Sequence, residues 1–176
     1  IFTVAALLAG ALMAAAAVWG TARPHVPARG MAWALSCTAG LALLFPAHWD
    51  LDKLSEGSNV YFFPQQWGKV IDHAESAEGG LTTVTQSADG LLTLLTNGKF
   101  QGNNSEQGEM IAQKSIALIP LLHTAQRDTA LVIGYGTGMT PRVIHENEFR
   151  SLDIAELSED MVRLADRHFE NINHAV

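Results

Sequence analysis

Three glycines at alternate positions, Gly134, Gly136 and Gly138, end an apolar run that starts at Ala130. The pattern describes a strand running straight into a sharp turn, where the missing Cβ lets a ligand approach the backbone closely. A helix after such a turn presents unbonded N–H groups at its start, which suits a nucleotide. The spacing is GxGxG. A dinucleotide fingerprint needs GxGxxG, and Met139 stands where its third glycine belongs. The pattern therefore favours an adenosyl-sulfonium ligand over NAD. Glu156, 18 positions after Gly138, ends the next strand. A carboxylate there can accept from two adjacent ribose hydroxyls at once. The competing reading of Glu156 is a solvated charge near a helix start. Asp153 is the rival acid, but it lies mid-strand and three residues early.

Other polar residues carry weaker signals. Glu109 and Gln113 stand four apart and share a helix face. Asp72, His73 and Glu75 follow one another along a candidate strand and read as its exposed side. The single cysteine, Cys37, excludes a disulfide framework within the chain and reads as a small packing residue. The seven histidines form no HxxxH pair, and no metal site is expected. Residues 1–49 hold no Asp or Glu, so all 18 acids follow position 49. Only two of the 11 basic residues, Arg23 and Arg29, precede it. No basic stripe is present, which argues against a nucleic-acid partner.

The elements that must position these residues follow from pattern. Short β-type segments at 60–63, 69–74, 81–86 and 91–96, with a return near Phe100, predict a small antiparallel sheet over 60–101. Asn97-Gly98 is a two-residue hairpin signal, since both positions tolerate positive φ. Residues 105–123 predict a helix with Met110, Ile111, Ile116, Ile119 and Leu122 as its apolar positions, shortened or kinked by Pro120. Strands are expected at 129–133 and 151–155. Thr140 and Pro141 predict the intervening helix start, with Thr140 as cap. Ser158 caps the last helix, whose buried face is Met161, Ala165, Phe169 and Ile172. Helix, strand, helix, strand, helix implies a parallel sheet covered by helices, the start of a Rossmann-type, class I methyltransferase-like domain.

Residues 1–19 and 31–49 are two uncharged, mainly apolar runs of 19 residues, each long enough for a bilayer core. Trp19, Trp33 and Trp49 fall near their ends, and the linker 20–30 carries Arg23, Pro24, Pro27 and Arg29. The expectation is a transmembrane helical hairpin in a multi-pass membrane protein. Two arginines in the linker would put that loop in the cytoplasm. The adenosyl metabolite is cytosolic, which favours the cytoplasm for the acidic part instead. The expected organisation is transmembrane helices over 1–49, a linker and small antiparallel β domain over 50–104, and the N-terminal part of a Rossmann-like cofactor domain over 105–176.

From about Trp49 to Ile172 the sequence resembles the spermidine synthase (polyamine aminopropyltransferase) family, in particular the branch fused behind membrane helices. Four stretches carry the resemblance: 94–99 before the hairpin, 109–122 in the helix, 132–138 at the glycines and 154–157 around the acid. The glycine and acid motifs alone would fit any class I methyltransferase; the two upstream stretches narrow it. The resemblance implies that Gly134, Gly136, Thr137 and Gly138 wrap the adenosyl co-substrate and that Glu156 holds its ribose. It places Gln113 and Glu109 near the substrate pocket. It also implies aminopropyl transfer from decarboxylated S-adenosylmethionine to an amine such as putrescine, in polyamine biosynthesis, with catalytic residues after Val176.

Three departures stand beside the likeness. Thr137 replaces the loop aspartate that meets the co-substrate's amino group, and Thr96-Asn97-Gly98 replaces Leu-Asp-Gly. The family's catalytic aspartate corresponds to a strand beyond Val176. Ordinary S-adenosylmethionine with methyl transfer remains open, as does a non-catalytic ligand-sensing domain of a transporter-like protein. So does homo-oligomer formation. Because the chain starts at Ile1 and stops after a second α/β helix, it reads as a fragment that would not catalyse the reaction alone.

Overall fold

The computed structural model describes Gly10 and residues 49–174. The chain divides into two units, Ile1–Trp49 and Asp50–Val176, and the second carries every feature below. The expected transmembrane hairpin and multi-pass membrane placement are corrected. No helix among the described residues is long and apolar enough to cross a membrane. Apart from Gly10 and Trp49, both apolar runs lie outside the described residues.

Residues 69–103 form a four-stranded antiparallel meander of β1 (Lys69–Ser76), β2 (Gly80–Gln86), β3 (Leu92–Thr96) and β4 (Lys99–Asn103), in that spatial order. Asn97 and Gly98 have φ of +50° and +77°, so the β3–β4 turn is the expected tight hairpin. The Asn97 side chain also accepts from the Leu81 amide at 2.9 Å, tying the turn to β2. Central β2 is buried on both faces: Thr82 and Val84 point one way, Thr83 and Thr85 the other.

The Thr83 face is covered by α1 (Leu51–Ser55), α2 (Ser58–Tyr61) and the segment after them. Ser55 and Thr83 share a hydroxyl–hydroxyl bond of 2.9 Å, and Thr85 donates to the Trp67 carbonyl at 3.0 Å. Trp67 stacks on Phe100 with ring centroids 5.5 Å apart. The expected strand at 60–63 is therefore corrected. Gly57 and Phe62, both at positive φ, bracket a single helical turn there. Alternating apolar types alone could not separate these two outcomes in four residues.

The remaining elements are α3 (Glu109–Leu121), β5 (Thr129–Ile133), α4 (Met139–His145), β6 (Ser151–Ala155) and α5 (Glu159–Asn173). β5 and β6 pair in parallel, Thr129 opposite Ser151 through Ile133 opposite Ala155. Ser158 caps α5 by accepting from the Met161 amide at 3.2 Å. Thr140 does not cap α4. That helix starts at Met139 behind Gly138, and the Thr140 hydroxyl donates instead to the Gln113 carbonyl at 3.0 Å. On α3 the inward face is Met110, Gln113 and Ala117, whereas Ile111, Ile116, Ile119 and Leu122 are exposed.

One apolar cluster joins the meander to the α/β part. Ala74, Val84 and Leu94 from the sheet meet Leu164, Ala165, Phe169 and Ile172 from α5, with Met139 and Val143 from α4. At the margin, Asp72 of β1 bonds Arg167 and His168 of α5, both at 2.8 Å. The bond to His168 holds the Asp72 carboxyl down to about 2; burial opposes this, and Arg167 and the His73 amide add to it.

Two outcomes follow. Phe169 is fully buried, so F169A should lose about 3–5 kcal/mol of stability in urea unfolding. A loss under about 1 kcal/mol would mean that α5 is not packed on the sheet. Asp72 is lowered in the folded state, so its contribution is present above the usual carboxylate value of 3.8 and fades as pH falls towards 2. D72N should flatten the stability–pH curve between those limits; an unchanged slope would remove Asp72 from the joint.

Candidate functional site

The turn after β5 continues the ladder by one bond, with the Gly134 amide donating to the Ala155 carbonyl at 2.8 Å. Gly134, Gly136 and Gly138 all have positive φ, at +90°, +58° and +81°. Two of them serve different needs. A Cβ on Gly138 would lie 2.5 Å from Cβ of Asn173 and 3.0 Å from the Tyr135 hydroxyl, so this glycine lets the loop close onto α5. A Cβ on Gly134 would meet nothing within 4 Å, which leaves open space beside its backbone.

Between them, Tyr135 turns inward and is buried. Its hydroxyl donates to Asp166 of α5 at 2.6 Å. Burial first, and the Asp166 carboxylate second, push the phenol above its ordinary range, so it stays a donor. Nothing in the sequence pattern separated Tyr135 from a ligand-facing residue; its spacing to Asp166 becomes meaningful only once α5 packs behind the loop.

Glu156 stands just past the end of β6, half-buried. One carboxylate oxygen accepts from the Tyr135 amide at 2.8 Å, the other from the Ser158 amide at 3.0 Å. It thus links the glycine turn to the first residues of α5. Each oxygen can accept a second hydrogen bond. Asp153 pairs in register with Leu131 in the middle of β6, away from the turn.

A cavity of about 590 Å³ runs along the free side of β5 against α3. Its lining includes Gln101, Glu109, Gln113, Gly134, Gly136 and Thr140, with apolar walls from Ile116 and Pro120. Four of the sequence-predicted residues therefore meet at one cavity: Gly134, Gly136, Gln113 and Glu109. Thr137, Gly138 and Glu156 do not line it. Thr137 is buried behind it with its hydroxyl bonded to the Gln113 side-chain carbonyl. The Gln113 amide in turn donates to Glu109 at 3.1 Å.

Gln101 is a lining residue that the sequence reading missed. The β3–β4 register shifts between Leu94 and Leu95, so that Gln101 is an extra residue in β4. The bulge brings its carbonyl to 3.5 Å from where a Cβ on Gly136 would sit. The usable signal was Gly102, a glycine inside a strand pattern, which often marks a bulge or a close approach. Chemically, the arrangement offers an open backbone turn, a carboxylate beside that turn, and a second carboxylate at a largely apolar cavity.

No protein-family model matches the sequence, and no curated protein does. Among solved structures, the chain is similar to a spermidine synthase in complex with the transition-state analogue AdoDATO. It is equally similar to the spermidine synthase from Thermotoga maritima. Each match has 17% identity and a TM-score of 0.50, and covers 60% of this chain. The chain spans only 36% of the length of those structures. At this identity the likeness establishes the fold alone: residues of this chain adopt a spermidine synthase-like fold, and neither match bears on a membrane-fused branch.

Proposed function

We propose that the chain forms the adenosyl-binding part of a spermidine synthase-like transferase, which moves an aminopropyl group from decarboxylated S-adenosylmethionine to an amine such as putrescine. The observation that carries this reading is the glycine turn itself. Gly134 has a positive φ and open space at its Cβ position, beside a Glu156 carboxylate that bonds the same turn. Backbone without side chains suits close approach of the adenosyl group, and a carboxylate at the strand end suits ribose hydroxyls. Gly134 and Gly136 would flank the nucleoside and Glu156 would accept from its ribose. When bound, the sulfonium supplies a carbon whose bond to sulfur breaks on displacement by an amine.

The amine end of the reading draws on Glu109 and Gln113, which line the adjoining cavity. A carboxylate there attracts an ammonium group, and holding the amine close to the reacting carbon is most of what such a displacement needs. A second reading, methyl transfer from ordinary S-adenosylmethionine, draws on one observation. Thr137 puts no carboxylate into the glycine turn, and its hydroxyl is already bonded to Gln113.

Isothermal titration of the full chain with decarboxylated S-adenosylmethionine and with S-adenosylmethionine decides between these readings. The expectation is binding tighter than about millimolar, with the decarboxylated ligand preferred by about tenfold, or 1.4 kcal/mol. Preference for the carboxylated ligand would favour methyl transfer, and no binding of either would end both readings. G134A puts a Cβ into the open space and strains a backbone at φ +90°, so it should weaken the adenosyl ligand about tenfold or more with a modest fall in melting temperature. G138A should lower the melting temperature further, because its Cβ also collides with Asn173.

A further inference from the structure

We infer that Gln113 and Thr137 are positioning residues that fix Glu109 as the receptor for the ammonium end of an alkylamine; this rests on the amine-transfer reading above. Glu109 is the one charged residue among those lining the cavity. No Lys, Arg or His shares that lining, and no ion pair involving Glu109 occurs among the described residues. Further along the same helix the cavity is lined by the apolar side chains of Ile116, Ala117 and Pro120. A carboxylate at one end of an apolar cavity without a protein cation is complementary to a cation carried on a hydrocarbon chain.

The carboxylate is not left to its own rotamers. Gln113, one turn along α3 and only 7% exposed, donates from its amide nitrogen to Glu109 at 3.1 Å. Its amide oxygen accepts from the Thr137 hydroxyl, and Thr137 is itself buried. The Gln113 amide is therefore held at both ends. Turning it over would set its oxygen against the Glu109 carboxylate, an acceptor facing an acceptor. The acceptor-only Glu109 carboxylate therefore sets which end of Gln113 faces it, and the Thr137 hydroxyl anchors the other end without touching the cavity.

The slot that holds this relay is built for it. Gly102 packs against the Gln113 amide so closely that any Cβ there would collide with the amide nitrogen, and would lie 2.8 Å from the Thr137 methyl. The bulge at Gln101 is what turns Gly102 to that spot. Three separate parts of the chain, β4, α3 and the glycine turn, therefore converge on one carboxamide. A hydrogen-bonded chain with this much backbone committed to it is a positioning device, and the group at its open end is Glu109.

The test titrates putrescine into the full chain, with 1,4-butanediol as the uncharged control. Wild type should bind putrescine and not the diol. E109Q should weaken putrescine by about tenfold or more, as for loss of a charged hydrogen-bond partner. T137V removes the hydroxyl at nearly constant volume and should weaken putrescine by roughly threefold to tenfold, the range of one hydrogen bond. T137S restores the hydroxyl and should return affinity to within about twofold of wild type. Melting temperatures separate these effects from loss of fold; E109Q, at the half-exposed end, gives the answer if T137V is unstable. Wild-type chain that ignores putrescine, E109Q that binds it as wild type does, or T137V and T137S that behave alike would each overturn the inference. Failure of the adenosyl titration with a Glu109-dependent putrescine response would sink the transferase reading and leave the relay standing.

Discussion

The apolar face of α5 is the constraint on which the rest depends. Leu164, Ala165, Phe169 and Ile172 are nearly or fully buried in one cluster with Ala74, Val84 and Leu94 of the meander and Met139 and Val143 of α4. Each large side chain among them contributes about 1.5–3 kcal/mol by leaving water. The ion pair at the margin cannot compete. Arg167 is about half exposed, and such a pair is worth about 0–1 kcal/mol. Burial therefore sets where α5 lies, and Asp72 adds orientation once it is there.

The glycine turn takes its shape from that helix. Gly138 can approach Asn173 only because it has no Cβ, and Tyr135 reaches Asp166 only because the loop is that close. Asn173 is fully buried and donates to the Ala165 carbonyl at 3.2 Å. Leaving such buried polar groups unpaired would cost about 1–3 kcal/mol each, so they act as a lock on the loop rather than as a source of net stability. The same logic holds for Glu156. Its bonds to Tyr135 and Ser158 make the ends of β5 and β6 one rigid unit, so the open side of Gly134 is defined by packing that lies wholly on its other side.

Much of this was legible in the sequence, and the reasons are specific. Strand β5 read correctly because it is an apolar run stopped by Gly134, and β6 because Leu152 and Ile154 alternate with polar Ser151 and Asp153. Helix α5 read correctly because its cap and its periodic face agree. Asn97-Gly98 read correctly because few other residues accept two positive φ values in succession. Helix α3 was legible as a helix with apolar positions, but the pattern did not show that Met110, Gln113 and Ala117 turn inward while its isoleucines stay exposed. A polar residue on the buried stripe is invisible to a hydrophobic pattern; only a partner from elsewhere in the fold, Thr137, makes that choice affordable. Residues 60–63 misled for a different reason, since four residues cannot distinguish a strand from one helical turn flanked by left-handed positions.

The same distinction explains the reading of the site. The glycines announced themselves by spacing, yet spacing could not say that Gly138 answers to Asn173 while Gly134 faces open space. The resemblance put Thr137 among the residues around the co-substrate; in the fold its side chain is buried and bonded to Gln113. What reaches the cavity from Thr137 is not its side chain but its effect on Gln113. In the proposed relay, a substitution at that position would act through Gln113. A residue pattern records which groups are present; the orientation of a buried carboxamide depends on contacts between β4, α3 and the glycine turn, three segments distant in sequence that only the fold brings together.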